Sequence, residues 1–338
     1  MKRQTKSFTI MLLILLVAII GMTALYMVNQ AIPNQKYQQA VALRDGGRYE
    51  DAIAAFADLG NYSDAETQIK ETKYQQANNL MSAEKYGKAH AIYASISEYR
   101  DADDLLAQAA AALDAEFSIG NYVFFGTYPQ SKDGNSKALI EWIVLDRDGD
   151  KALLVSRYAL DKVVYNASRD DATWETCTLR AWLNKYFFNR SFDSAEQAVI
   201  LTTTVDNSES QCYNEWNTNG GNNTQDKIFL LSYAEANKYF DVNTYYEAWW
   251  QNLDEISNMK PRVARTAYAS AKCEMFLIQG YTTDGDVAAT WWLRSPGSAQ
   301  NTAACVLPIG ALSCKYNPGD EAFLRPALWV DIHPLSLQ

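Results

Sequence analysis

From Phe8 to Val28 the chain runs through 21 residues, FTIMLLILLVAIIGMTALYMV, without one charge. At about 1.5 Å per helical residue, such a run crosses a hydrocarbon core of about 30 Å. Lys2, Arg3 and Lys6 precede it, and the next basic residue is Lys36. The positive-inside bias therefore holds residues 1–7 in the cytoplasm and exports the remainder. The rival is a cleaved signal peptide, which normally has an apolar region of about 7–15 residues and a small-x-small cleavage site. Thr23 to Asn29 offers no good site, and no cysteine follows for lipidation. The expectation is a retained single-pass anchor over residues 8–28, in the cell membrane.

Beyond the anchor the apolar positions fall at helical spacing, and the pattern repeats. Lys36-Tyr37-Gln38-Gln39-Ala40 lies over Lys73-Tyr74-Gln75-Gln76-Ala77, a period of 37 residues without gaps. Leu43 then lies over Leu80, Tyr49 over Tyr86, Ala52 over Ala89, and Tyr62-x-Asp64-Ala65 over Tyr99-x-Asp101-Ala102. A period of roughly 20–50 residues marks stacked supersecondary units. Gly46-Gly47 divides the first unit between two helices, and Ser63 stands where the next helix would take its N-cap. The runs Gly47-Arg48-Tyr49-Glu50-Asp51-Ala52 and Glu84-Lys85-Tyr86-Gly87-Lys88-Ala89 resemble tetratricopeptide-type helical hairpins. The resemblance spans residues 34–116 and implies a peptide groove or a helical spacer. Two units offer little concave surface, which favours the spacer.

After Phe117 the pattern changes to short apolar runs punctuated by turn residues. Leu139 to Leu145 and Lys151 to Ser156 flank Asp146-Arg147-Asp148-Gly149-Asp150, a strong hairpin signal. Helical patches follow at Leu179 to Phe188 after Thr178, and at Ala195 to Leu201 after Ser194. The run Lys227 to Leu231 reads as a strand leading into Ser232-Tyr233-Ala234-Glu235, a capping box. Strands return at Thr290 to Arg294 and Arg325 to Ile332. Without a regular βαβ rhythm the fold class is α+β. The expected organisation is a tail (1–7), an anchor (8–28), all-α repeats (34–116) and a mixed domain (118–335).

Composition narrows the function classes. All nine tryptophans lie beyond Phe117, which marks the boundary between an alanine-rich part and an aromatic-rich one. A net charge of −10 leaves nothing for a basic stripe and excludes nucleic acid as a partner. Between Gln30 and Phe117, 14 acidic residues stand against 8 basic ones, a solvated exterior. Five cysteines, with no C-x-x-C, do not form a disulfide scaffold. Two histidines, His90 and His333, leave little for a histidine-based site.

Catalytic constellations are mostly missing: the chain has no G-x-S-x-G, no phosphate-cradling glycine loop and no H-E-x-x-H. Ser295, in Arg294-Ser295-Pro296-Gly297, reads as strand-exit turn chemistry. Asp146, Asp148 and Asp150 have the chemistry of calcium ligands but read more simply as a hairpin loop. No cofactor and no metal is expected.

The chain also carries Gly120-Asn121-Tyr122-Val123-Phe124-Phe125-Gly126-Thr127-Tyr128-Pro129-Gln130, Trp142-Ile143-Val144-Leu145 and Thr173 to Asn184. It closes with Trp291-Trp292-Leu293-Arg294-Ser295-Pro296-Gly297 and Leu324-Arg325-Pro326-Ala327-Leu328-Trp329-Val330. Together these resemble the domain-of-unknown-function family 6273, over about two thirds of the chain. That family in turn resembles the C-type-lectin-like fold of formylglycine-generating enzymes and of the variable proteins of diversity-generating retroelements. The resemblance implies a C-type-lectin-like domain and no defined activity. The oxidase chemistry of formylglycine-generating enzymes uses a closely spaced cysteine pair for copper. Cys305 and Cys314, nine apart, depart from that pattern.

The resulting expectation is a non-enzymatic binding module displayed outside the cytoplasm for a glycan or protein ligand. A structural envelope protein and an exported enzyme stand as alternatives. Trp142, Trp182, Trp291 and Trp329 are assigned to the core, whereas Trp249 and Trp250 are candidates for ligand contact. Contact is expected to concentrate between the two strongest motifs, at Ser298, Gln300, Asn301, Lys315, Tyr316, Asn317 and Asp320. The run Leu307-Pro308-Ile309-Gly310-Ala311 predicts a three-residue hairpin loop pairing Leu307 with Ala311, Val306 with Leu312 and Cys305 with Ser313, so that Cys305 and Cys314 do not bridge.

Overall fold

An unbroken helical path opens the chain, from α1 (Lys2–Tyr26) through a π turn at Met27–Ala31 into α2 (Ile32–Asp45). The computed structural model describes residues 2–242, 263–272, 282–283, 286–308, 310–316 and 321–332. Two units emerge, Met1–Ala110 and Ala111–Gln338. The opening helix is long and apolar enough to cross a membrane, and its apolar side chains from Met11 to Val28 are exposed.

In the first unit, α2 is followed by α3 (Tyr49–Ala57), α4 (Ala65–Ser82) and α5 (Tyr86–Ala94), and α6 (Ala102–Glu116) begins there. The 37-residue period of the sequence is also a period of packing. Ala40, Ala52, Phe56 and Ala65 form one buried cluster, and Ala77, Ala89, Tyr93 and Ala102 take the same places in the next. Small residues there let helix backbones approach, while one ring per unit fills the space between them. Tyr37 donates to Asp64 at 2.6 Å, and Tyr74 donates to Asp101 at 2.6 Å. The edge-on rings Tyr37–Phe56 and Tyr74–Tyr93 recur likewise.

Both hairpin turns need a left-handed residue. Gly47 supplies it in the first (φ 75°) and Glu84 in the second (φ 58°). The start of α4 differs from the sequence expectation: Asp64 is the N-cap, and Ser63 lies one residue earlier at φ 53°.

The second unit holds two main sheets. Strands β1 (Tyr122–Pro129), β2 (Lys137–Asp148) and β3 (Lys151–Ser156) open the first, while β4 (Asp161–Val164) joins the second. Thr178–Trp182 (α7), a π turn at Leu183–Phe187 and Phe188–Ser191 (α8) then form one helix, followed by α9 (Ser194–Val199). Next come β5 (Thr203–Val205), β6 (Thr224–Asp226) and α10 (Tyr233–Phe240). The pairs β7 (Thr282–Thr283) and β8 (Asp286–Val287) precede β9 (Trp291–Pro296), β10 (Ala303–Val306), β11 (Leu312–Tyr316), β12 (Glu321–Leu324) and β13 (Ala327–Asp331). The first main sheet has the order β1-β2-β3-β13 and the second β11-β10-β9-β12-β4. The class is α+β, as expected.

Several local expectations hold. The β2–β3 hairpin pairs Asp148 with Lys151 around Gly149, and Ser232 with Glu235 forms the capping box of α10. The β10–β11 register pairs Val306 with Leu312 and Cys305 with Ser313, Leu307 donates to Ala311, and Gly310 has φ 88°. Cys305 is fully buried.

Others are corrected. Lys227 to Leu231 is not a strand, although Ile228, Phe229, Leu230 and Leu231 are buried. Side chains occupy most of its backbone: Asn184 Oδ1 accepts from Lys227 and Ile228, and Arg294 donates to Leu230. Only Phe229 makes a bridge, to Ala327. Asp193 rather than Ser194 caps α9, sharing a capping box with Glu196. Ser295 lies inside β9 rather than in a turn, and Trp182 and Trp329 are half-buried whereas Trp142 and Trp291 are fully enclosed.

Candidate functional site

The motif Trp291-Trp292-Leu293-Arg294-Ser295-Pro296-Gly297 folds as β9 and the residue after it, and every one of its residues is buried. An arginine there has to be fully hydrogen-bonded, and Arg294 is. Its guanidinium makes a two-pronged pair with Glu235, donates to the carbonyls of Leu230 and Asp206 at 2.9 Å each, and donates through Nε to Asn207 Oδ1 at 3.2 Å. Ser295 beside it donates to the Gln211 carbonyl at 2.7 Å and accepts from the Tyr233 amide at 2.9 Å. One strand thereby fixes the segment 206–211, the entry to α10 and α10 itself.

Asn207 passes the constraint outward. Its side chain donates to the Asn222 carbonyl, and its backbone amide donates to Asn223 Oδ1, both at 2.9 Å. Gly220 lies so close that a Cβ would sit 2.0 Å from the Asn207 carbonyl oxygen. Gly221, at φ 90°, rests on the Thr173 side chain, where a Cβ would sit 2.7 Å from Oγ1. Thr218 donates to the Gly297 carbonyl at 3.0 Å. A buried acid, Asp226, accepts from Trp174, Arg180 and Thr224 and fixes the segment 173–180.

Gln300 closes the arrangement. Its side-chain amide donates to the Asn219 carbonyl at 2.9 Å and accepts from the Asn219 amide at 3.0 Å, and it also donates to the Ala172 carbonyl at 3.3 Å. Its own carbonyl accepts from Ala172. The turn around it is closed by Gly297 donating to Thr302, and by Thr302 Oγ1 bonding both the amide and the carbonyl of Ala299. Three loops, 166–176, 217–223 and 297–302, thus make one surface. Arg169, Asp170, Asp171, Asn219, Asn222, Ser298 and Asn301 are exposed on it. Such a set offers hydrogen-bond donors and acceptors held on fixed backbone.

Of the residues expected from sequence, Ser298 and Asn301 lie exposed on this surface, while Gln300 is half-buried and spends its amide holding the loops together. Lys315 and Tyr316 belong to β11, at the edge of the five-stranded sheet. The register sets Tyr316 opposite Ala303, one residue from the 297–302 loop. Asn317, Asp320, Trp249 and Trp250 lie outside the described residues. Sequence reasoning missed the two partner loops. The signal for the second of them is the run Asn217-Thr218-Asn219-Gly220-Gly221-Asn222-Asn223, dense in residues that favour turns.

Elsewhere, Asp146 lies in β2 and not in a loop. It accepts from Lys238 and Tyr239 at 2.7 Å each, and the Lys238 bond holds its carboxyl below the usual range. Burial pushes the Cys177 thiol up to about 12, which leaves it inert. Among the described residues no group of three or more His, Cys, Asp or Glu side chains is placed to hold a metal ion.

A family model described as "Domain of unknown function (DUF6273)" matches residues 149–332, from the β2–β3 turn through β13. No curated protein and no solved structure matches the chain.

Proposed function

The chain belongs to the DUF6273 family, and on that premise we propose that it is a membrane-anchored, extracytoplasmic binding module without enzymatic activity. The observation that carries the reading is the Gln300 clasp, which turns three polar loops into one pre-set surface. A surface already ordered before its ligand arrives loses less conformational freedom on binding. Asn219, Asn222 and Asn301 each bring an amide that donates and accepts, which suits a glycan or a polar protein segment.

The anchor is residues 8–28, supported by the exposed apolar face of the opening helix and by its basic N-terminal flank. Residues 34–116 act as a tetratricopeptide-like spacer, supported by core positions that recur every 37 residues. The C-type-lectin-like assignment of the remainder is supported by its α+β class and by a loop surface built where β9 turns into β10.

The test is an unbiased screen of glycan and protein arrays with the full chain in lipid nanodiscs. Asn301→Ala and Tyr316→Ala should each weaken an array hit by about 1 kcal/mol or more, with the melting temperature nearly unchanged. If both variants bind normally while Trp249→Ala or Trp250→Ala abolishes binding, the surface is elsewhere.

A further inference from the structure

The opening helix does not end with its apolar run: it passes through the π turn at Met27–Ala31 directly into the first repeat. Pro33 accounts for the π turn. It brings no amide for the Asn29 carbonyl four residues back, and its ring crowds that carbonyl, so the helix widens and Ile32 donates to Met27 instead. Gln30 lies inside this turn, two residues past the end of the apolar run. With residues 8–28 as the anchor, that is about 3 Å beyond the hydrocarbon core, within a headgroup layer about 5–7 Å thick. The Gln30 carbonyl accepts from the Tyr62 hydroxyl at 3.5 Å, and Tyr62 belongs to the turn between α3 and α4. The repeat thus folds back onto the point where the chain leaves its anchor.

The second repeat supplies an internal comparison. Its equivalent tyrosine, Tyr99, donates to Glu71 at 2.9 Å, and Arg100 pairs with the same carboxylate at 2.7 Å. The first repeat has Asn34 in place of Glu71, Asn61 in place of Glu98 and Ser63 in place of Arg100. The backbone is the same in both, with φ 53° at Ser63 and 54° at Arg100. The turn is kept and its charges are absent. Asp58, where the second repeat has Ser95, goes the other way, and Asp64 spends its carboxylate on Tyr37 and Gln68. An uncharged turn carrying an amphipathic ring suits the boundary between lipid tails and water. We propose, resting on the reading of residues 8–28 as an anchor, that turn 59–63 is seated in the headgroup layer of the same bilayer, with Tyr62 as its interfacial contact. The turn has no cation, so the layer it fits is zwitterionic. The first repeat is thereby braced against the membrane at two points, the helix and the turn.

The experiment puts the photo-crosslinking residue benzoylphenylalanine at one position at a time in the full chain, in phosphatidylcholine nanodiscs, and counts lipid adducts by mass spectrometry. Leu16 lies within the apolar run, and Arg48 lies past the other end of α2, about 20 Å from Gln30. The probe should take lipid at Leu16 and at Tyr62, and several-fold less at Arg48. No adduct at Leu16 would overturn the anchor and the seated turn together. Adducts at Leu16, with no more at Tyr62 than at Arg48, would overturn the seated turn and leave the anchor standing. Should the Tyr62 variant not fold, the exposed neighbour Asn61 carries the probe and the same outcomes decide. In phosphatidylglycerol discs the yield at Tyr62 relative to Leu16 should fall, because Asp58 then meets a negative surface. A rise would assign the turn to anionic headgroups and overturn the proposal.

Discussion

In the helical unit, Tyr37 reaches Asp64 across 27 residues, and Tyr74 reaches Asp101 across the same 27. In the β-rich unit, Arg294 reaches Glu235, Leu230, Asn207 and Asp206 across 59, 64, 87 and 88 residues. The first kind of contact is made twice and lies near the surface; the second is made once, in the core. A repeat array distributes its stability over equivalent interfaces, so losing one contact is local. A hub concentrates it, so losing one side chain releases several segments together. The loop surface stands on the hub, through Asn207, and not on the repeats.

The largest expected effect follows from that contrast. Arg294→Met leaves Glu235 without its cation and the Leu230 and Asp206 carbonyls without a donor. It should destabilise the β-rich unit by about 3–5 kcal/mol while the helical unit melts as before. Calorimetry of the full chain resolves the two transitions. A loss under about 1 kcal/mol would show that the hub is not where the stability lies. Next in size come Tyr37→Phe and Tyr74→Phe. Each removes one hydrogen bond to a carboxylate, for about 1 kcal/mol, and the double variant should lose the sum. Clearly unequal losses would break the equivalence of the two repeats.

The smallest effect is a pH dependence at Asp146. Lys238 depresses its carboxyl, so its stabilising contribution is present above the ordinary carboxylate range and is lost as pH falls through the lower folded value. Melting curves of the parent and Asp146→Asn should therefore converge on acidification. Curves that stay a constant distance apart would remove the ion pair from the account.

How much of this was legible in the sequence follows the same divide. The period written in Lys36-Tyr37-Gln38-Gln39-Ala40 and Lys73-Tyr74-Gln75-Gln76-Ala77 became a packing period, because helix contacts recur at short, fixed separations. Pro308 and Gly310 announced the β10–β11 hairpin and its register, since turn geometry is local chemistry. Lys227 to Leu231 misled, because an apolar run shows burial but not what bonds its backbone; Asn184 and Arg294 do that from 43 and 64 residues away. Ser298 and Asn301 were legible as polar turn residues beside a strong motif. The role of Gln300 was not, because it depends on Ala172 and Asn219, which only the fold brings near.

The central claim is that loops 166–176, 217–223 and 297–302 form one ligand-binding surface. Hydrogen–deuterium exchange of the full chain, with and without its best array hit, tests it most directly. Ligand should slow exchange in those three segments together, and Gln300→Ala should speed exchange of the Asn219 amide in the free protein. Ligand protection confined to other segments, with these three unchanged, would contradict the claim.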